Sequence, residues 1–340
     1  MFQPLISVII TSYNRAEYIA DAIESALSQD YSNFEVVISD NASSDNTDEI
    51  ISRYISDPRI RYFRNQTNIG MIPNFKKATE KLARGEYITF ISSDDYLTND
   101  SFLSESIELI EQGKAVLAVF SKNQAYNTFT KLLSLQKPRH SYVYDQKFKN
   151  GIDVFFDVPI AGNFGFGGAF YNRELFISLD PFKYELSGVD ALLNFLLMLK
   201  GNIGFISKPT YTYRIHAGQA SELSTAKDII ANFNHILIPF QYAKQNKLAD
   251  EEKLEQWKND LVFRDLRHFT VSLSASKNME YKNLLCYAKM NHLLVYKKLK
   301  RDIKWNIIIF FFKRPKFSIK FFKIFSKKRF EELHHILESH

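Results

Sequence analysis

The stretch Tyr87-Ile-Thr-Phe-Ile-Ser-Ser-Asp-Asp-Tyr-Leu97 constrains the fold more than any other part of this chain. It is apolar on both faces and then ends abruptly in two adjacent carboxylates, Asp94 and Asp95. A strand buried on both faces belongs inside a parallel or mixed sheet with helices on each side. In such sheets the ligand crevice lies beyond the carboxyl ends of the strands. Acids placed there, flanked by Ser92 and Ser93, suit a divalent cation that carries a phosphorylated ligand. The same acids read equally well as an ordinary turn, or as the cap of a helix starting near Asn99.

The residues upstream supply the rest of such a sheet. Leu5–Ile10, Phe34–Ser39 and Arg59–Phe63 read as strands. Helices are expected from Arg15 to about Ser28, from Asn46 toward Tyr54 and from about Asn74 to Ala83. Asn14 with Glu17, and Asn46 with Glu49, have the spacing of capping boxes. Alternating strand and helix at this rhythm implies βαβ units, a parallel sheet and a nucleotide-sized ligand. The first turn, Thr11-Ser-Tyr-Asn-Arg15, contains no glycine. That argues against a dinucleotide fingerprint and a P-loop, both of which need glycine for close backbone approach to phosphate. Thr11, Tyr13 and Asp40 stand at strand ends instead, where a hydroxyl, a ring and a carboxylate can bind a base; Thr11 and Tyr13 also read as plain turn residues.

Three blocks carry a resemblance. Ser7-Val-Ile-Ile-Thr-Ser-Tyr-Asn-Arg15, Ser39-Asp-Asn-Ala-Ser-Ser-Asp-Asn-Thr47 and Phe90-Ile-Ser-Ser-Asp-Asp-Tyr-Leu97 resemble, in order and spacing, the nucleotide-binding half of family 2 glycosyltransferases. The resemblance covers residues 5 to about 120 and extends toward 222. It implies an α/β fold of GT-A type, a Rossmann-like, mixed, mostly parallel sheet flanked by helices, with a helical C-terminal region. It also implies a nucleotide-diphosphate sugar donor bound with Mg2+ or Mn2+. Carried over by position, Thr11 and Tyr13 would line the base pocket and Asp40 would accept from the base. Asp94 would hold the metal, and Asp95 would support it in the region that holds ribose. Ser92 stands where the first acid of the Asp-x-Asp motif is often found, and Pro73 where UDP-using relatives often place an arginine. The second departure leaves dTDP- and CDP-sugars open.

Downstream, Ser101–Gln112 reads as a helix and Lys114–Phe120 as a buried strand, whereas Ser121–Tyr144 is polar and irregular. Asp145–Phe156 is expected to be helical. Ala161-Gly-Asn-Phe-Gly-Phe-Gly-Gly-Ala169 packs four glycines into nine residues. Glycine permits tight bends and close approach of backbone to a ligand. The segment reads as a flexible loop or bulged strand from its composition, and as a wall of the sugar and acceptor site from the resemblance. Ser187–Leu199 is a helix with Asp190 in its first turn, where the macrodipole favours an acid in any case. Glycosyl transfer with inversion needs one general base on the acceptor hydroxyl. The resemblance places that base at Asp190, with Glu185 as the alternative. Ile203–Ile206 and Thr210–Arg214 read as strands leading to His216. The resemblance puts Arg214 and His216 near the diphosphate, with His216 a candidate metal ligand.

These expectations divide the chain into a catalytic domain at 1–222, with halves 1–120 and 121–222, and a helical region at 223–340. In the latter, Leu254, Trp257 and Leu261, and then Tyr281, Leu284, Leu285 and Ala288, form apolar stripes. The net charge of +6 is local: Lys297–Arg329 carries thirteen Lys or Arg against the single acid Asp302. Basic residues interleaved with Phe and Ile across 303–329 suit an anionic membrane surface, or else a terminal helix with a solvated basic face. Nucleic acid is not expected, because no recognition module accompanies the tail. One cysteine, Cys286, excludes an internal disulfide framework. Met1-Phe2-Gln3-Pro4 lacks the basic start of a secretory signal, so a cytoplasmic protein, peripheral on the inner face of the cell membrane, is expected.

Together these readings point to an inverting glycosyltransferase acting on a carbohydrate or lipid-linked glycan acceptor in cell-surface polysaccharide synthesis. A sugar nucleotidyltransferase would carry a glycine-rich phosphate loop after its first strand, which is missing here. A non-catalytic nucleotide-sugar-binding subunit remains a rival through Ser92.

Overall fold

The computed structural model describes residues 3–112, 116–135, 146–161, 164–216, 225–276, 278–302, 305, 306 and 309. The chain separates into two compact units, Met1–His216 and Ala217–His340. The boundary lies six residues ahead of the expected one.

In the first unit the strands are β1 (Ile6–Ser12), β2 (Phe34–Asp40), β3 (Ile60–Arg64), β4 (Tyr87–Ser92), β5 (Tyr96–Leu97), β6 (Val116–Asn127), β7 (Leu132–Leu135), β8 (Phe148–Asn150), β9 (Ala169–Asn172) and β10 (Asn202–Ile215). They form one mixed sheet in the order β3-β2-β1-β4-β9-β6-β10-β5, with β7 beside β6 and β8 beside β10. β1 pairs in parallel with β2 and β4, and β10 pairs in parallel with β6. β9 runs antiparallel between β4 and β6. The helices of this unit are α1 (Ile19–Leu27), α2 (Thr47–Ser52), α3 (Met71–Lys77), α4 (Phe102–Glu111), α5 (Gly151–Ala161), α6 (Arg173–Leu179) and α7 (Val189–Met198).

β1, β2 and β4 carry apolar side chains on both faces, and nearly every position is buried, the polar Ser7, Glu35 and Thr89 included. Ile6, Val8, Ile10, Val36 and Ile38 join one cluster with Ile19, Ala22, Ile23 and Ala26 of α1 and with Phe102, Leu103 and Ile107 of α4. A second, aromatic cluster gathers Phe75, Phe90, Phe166, Tyr171, Phe176 and Phe182 at ring separations of 4.8 to 6.4 Å. Each buried aromatic side chain contributes roughly 1.5–3 kcal/mol, so this cluster holds its loops firmly.

Several local expectations change. α1 starts only at Ile19, after a turn from Arg15 to Tyr18, and Asn14 does not cap it. Asn14 instead adopts φ 52°, and its Oδ1 accepts from the Ser44 backbone at 2.7 Å. Asn46 makes no side-chain cap either; Asp45 accepts from Thr47 N at 3.1 Å. α3 begins at Met71, with Pro73 inside its first turn, where proline lacks no needed donor. The polar stretch after Phe120 is not irregular throughout: β6 continues to Asn127 and pairs with β7. Helix α5 runs from Gly151 to Ala161, preceded by β8, so it starts six residues later and ends five later than expected. The two strands expected before His216 are one, β10, bent by irregularities near Pro209.

The second unit contains α8 (Ala226–Asn232), α9 (Asn234–Gln245), α10 (Glu251–Ser276), α11 (Asn278–Asn291) and α12 (Leu293–Arg301). Leu254, Trp257 and Leu261 are buried, as are Tyr281, Leu284 and Ala288, whereas Leu285 is only half-buried. Trp305 is buried too, and its Nε1 donates to Thr270 Oγ1 of α10 at 2.8 Å. Among the described residues no helix is long and apolar enough to cross a membrane. Most of the basic aromatic run, residues 310–329, lies outside the described residues.

Candidate active site

The turns after β1 and β2 are tied together residue by residue. Asn14 N donates to Ser43 Oγ at 2.9 Å, Arg15 N to Thr47 Oγ1 at 3.0 Å, and Ala16 N to Asp45 Oδ2 at 3.0 Å. Thr11, next to last in β1, is in register with Ser39 and Ser92, and Tyr13 is 43 % exposed in the turn beyond the strand. Asp40 is fully buried beneath these turns. Its Oδ1 accepts from Ser43 N at 3.1 Å and its Oδ2 from the Tyr62 hydroxyl at 3.2 Å, with Arg64 Nε at 3.5 Å. Asp40 is therefore occupied in holding the β2–α2 turn. Below it, Asn41, Asn65, Asn68 and Asn74 form an amide network that fixes the Asn68–Gly70 loop.

Asp94 and Asp95 are adjacent in sequence but face different partners. Asp94 Oδ2 accepts from Arg15 Nε at 3.1 Å and lies 3.1 Å from His216 Nε2. Asp95 is 3 % exposed; its Oδ2 accepts from the Tyr211 hydroxyl at 2.6 Å and its Oδ1 from Arg214 N at 2.8 Å. Burial, and then the charge of Asp94, push the Asp95 carboxyl up to about 7, against the pull of these two donors. Asp94 is thus the acid that faces the site, and Asp95 the one that braces it from behind.

Arg214 is buried near the end of β10. Its guanidinium is sandwiched between the rings of Tyr18, at 4.8 Å, and Tyr96, at 5.1 Å, and pairs with Asp21 at 2.7 Å. His216 packs on the other side of the same region, its ring 4.7 Å from that of Tyr18.

The glycine segment is a fixed wall. Gly162 and Asn163 lie outside the described residues, but Phe164 stacks on Phe120 at 4.7 Å and Phe166 packs on Phe90 at 4.8 Å. Gly167 bridges to Phe90, and a Cβ there would lie 2.4 Å from the Tyr211 ring. Asp190 sits in the first turn of α7, half-buried, its Oδ1 accepting from Ala191 N at 2.7 Å. A Cβ on Gly165 would be 3.4 Å from Asp190 Oδ2, an ordinary contact distance that places this part of the wall beside the acid. Burial, and then the charge of Asp190, hold the neighbouring Tyr171 hydroxyl well above the ordinary tyrosine range. One wall therefore has Asp190 at Gly165 and reaches, through Gly167, strand β4, whose following turn carries Asp94. Glu185 is exposed at the end of a short 3-10 turn over Pro181–Tyr184.

A divalent ion fits these residues only in company. Among the described residues no three His, Cys, Asp or Glu side chains converge on one point. Asp94 and His216 are the available donors, and Mg2+ characteristically uses one or two protein groups plus substrate phosphates and water. Two donor atoms 3.1 Å apart have the spacing of neighbours around an ion about 2.1 Å from each.

The family model described as glycosyl transferase family 2 matches residues 7–179. The chain belongs to that family. The abequosyltransferase RfbV of Salmonella typhimurium is 28% identical over 340 residues, covering 88% of this chain and all of the relative. Two further relatives are matched over only 46% and 60% of their own length. The structure of Staphylococcus aureus TarS with UDP-GlcNAc superposes with a TM-score of 0.64 at 20% identity, over 83% of this chain and 78% of that one. The mannosyltransferase PcManGT from Pyrobaculum calidifontis, in complex with GDP-Man and Mn2+, gives 0.53 at 17% identity, over 92% and 88% of the two chains. These likenesses show a glycosyltransferase fold of the GT-A type.

Arg15, Tyr18, Tyr96 and Tyr211 belong to this family 2 site although the sequence reading assigned them no role. Arg15 stood within the first resembling block and was the visible signal. Tyr211 had none, since only the folded sheet brings it to Asp95.

Proposed function

We propose that this family 2 protein is an inverting glycosyltransferase that moves a sugar from a nucleotide-diphosphate sugar to a carbohydrate or lipid-linked glycan in cell-surface polysaccharide synthesis. The observation that carries the reading is the wall bearing Asp190 at Gly165 and leading, through Gly167, to β4, whose following turn carries Asp94. Thr11 and the exposed ring of Tyr13 line the base side. Asp40, Asp95 and Arg214 act through others: Asp40 shapes the turn, and Asp95 and Arg214 hold Asp94 and Tyr18 in place. Asp94 and His216 would hold Mg2+ or Mn2+ at the donor's diphosphate, where the ion neutralises charge on the departing group.

Asp190 takes the proton of the acceptor hydroxyl as its oxygen bonds to the anomeric carbon. The bond from that carbon to the diphosphate oxygen breaks, and its electron pair leaves with the nucleoside diphosphate. Inversion follows from attack opposite the leaving group, through an oxocarbenium-like transition state. The run 303–329 would rest on an anionic membrane, continuing a described surface on which Leu293 and Leu294 are exposed beside Lys297, Lys298, Lys300 and Arg301.

A panel of UDP-, dTDP-, GDP- and CDP-sugars, each with a Mg2+ and Mn2+ series, tests the reading by binding and by donor hydrolysis. One nucleotide family should bind and turn over with metal. No binding and no turnover across the panel would reject it.

A further inference from the structure

Two groups share one oxygen of Asp94. Arg15 Nε and His216 Nε2 both lie 3.1 Å from Oδ2. Arg15 therefore already holds the Asp94 oxygen that a divalent ion between Asp94 and His216 would use, and its positive charge opposes a second cation there. Its guanidinium has other support within its own turn, since Nη1 donates to the Asn14 carbonyl at 2.9 Å and to the Tyr13 carbonyl at 3.4 Å. Its backbone is pinned by Thr47 and, one residue on, by Asp45. The side chain can thus leave Asp94 while the turn stays fixed.

We infer that Arg15 is a detachable counter-charge: it compensates Asp94 in the donor-free protein and moves to the donor's phosphates when the ion replaces it. A guanidinium suits this exchange, because it pairs with carboxylate and phosphate through the same fork of N–H groups. The ion is then held well only together with the nucleoside diphosphate, since that ligand draws Arg15 away. The inference rests on the donor-site reading above, and it concerns Arg15 as a positioning residue.

The test is Mn2+ binding to the full chain, read by electron paramagnetic resonance, without and with the nucleoside diphosphate of the best donor. Wild-type protein should bind Mn2+ alone at least about fivefold more weakly than with the diphosphate, the lower end of coupling between sites. Arg15→Ala should bind Mn2+ alone more tightly than wild type, bind the diphosphate more weakly and lose most of the coupling. Arg15→Gln, which keeps donors to the turn, should behave the same way and guards against a misfolded alanine variant. If both variants bind Mn2+ alone no better than wild type, Arg15 is a fixed brace and the inference fails. If no nucleoside diphosphate binds wild type, the donor-site reading fails separately; the Mn2+-only comparison then still decides whether Arg15 excludes the ion.

Discussion

The Tyr211 hydroxyl donates to Oδ2 of Asp95 at 2.6 Å and accepts from Ser92 N at 3.2 Å, so β10 clamps the turn that carries both acids. Tyr211→Phe keeps the ring but strands a buried carboxylate oxygen and a backbone N–H. Each unsatisfied group costs about 1–3 kcal/mol. A clear drop in thermal midpoint is expected, with weaker donor binding because Asp94 loses its brace. A variant that melts and binds like wild type would show that the clamp has no role.

Asp190→Asn removes the proposed base without changing the shape of its turn. Turnover should fall roughly 10²–10⁴-fold, with donor affinity and thermal midpoint retained. Glu185→Gln, at an exposed position, should keep near-normal turnover. Steady-state kinetics on the two variants separates the acids, and the reverse ranking would move the base to Glu185.

The wall itself is sensitive at Gly168, which has φ +69° and a would-be Cβ 2.5 Å from both Asn123 Oδ1 and Ser121 Oγ. Gly168→Ala should lose about 1–3 kcal/mol of stability through backbone strain, with more from the close contacts. Urea unfolding measures it.

In the helical unit, burial pushes the Asp265 carboxyl up, but His235 at 3.3 Å and Arg264 at 3.0 Å outweigh it and hold it below the ordinary range. A depressed carboxyl adds stability above its unfolded value, near 3.9 for aspartate. That contribution disappears as pH falls through the lower folded value. Asp265→Asn should therefore be less stable than wild type at pH 7 and lose less stability on acidification below pH 4. Denaturant melts at pH 7, 4 and 3 check the sign.

For the membrane reading, the informative truncation removes residues 310–340, which leaves Trp305 and Ile309 packed in the helical unit. The full chain should sediment with phosphatidylglycerol vesicles and much less with neutral ones, each interfacial cation adding roughly 1 kcal/mol. The truncated chain should stay in solution. Equal sedimentation of the two would reject a membrane role for the tail.

The sheet was legible where short apolar runs rich in Ile and Val are bounded by turn residues, which favours a buried strand over a helix; β1, β2 and β4 start and stop close to where the residues alone place them. Boundaries set by side-chain hydrogen bonds were not. Asn14 and Asn46 have capping-box spacing, yet the acceptor that matters is Asp45, which reaches across to the other turn. The pairing of β6 with β7 escaped notice because Leu132 and Leu133 are exposed and give no burial signal. In the site, the adjacency of Asp94 and Asp95 suggested one shared role. Their division of labour depends on Tyr211 and His216, more than a hundred residues later. The resemblance puts Arg214 near the diphosphate, but its contacts with Tyr18, Tyr96 and Asp21 join residues far apart in the chain and had no signal in the sequence.

The length of β10 has a consequence for how such a protein can be divided. The span matched by the family model stops at residue 179, while the phenol, imidazole and backbone N–H that complete the acidic turn all arrive later, on β10 or the residue after it. A donor-binding half excised at that point would keep its nucleotide turns and lose the partners of both acids. Swapping halves between relatives should therefore succeed only when the graft carries its own closing strand, and specificity engineering on this scaffold has to treat the two ends of the chain's first unit as one inheritance.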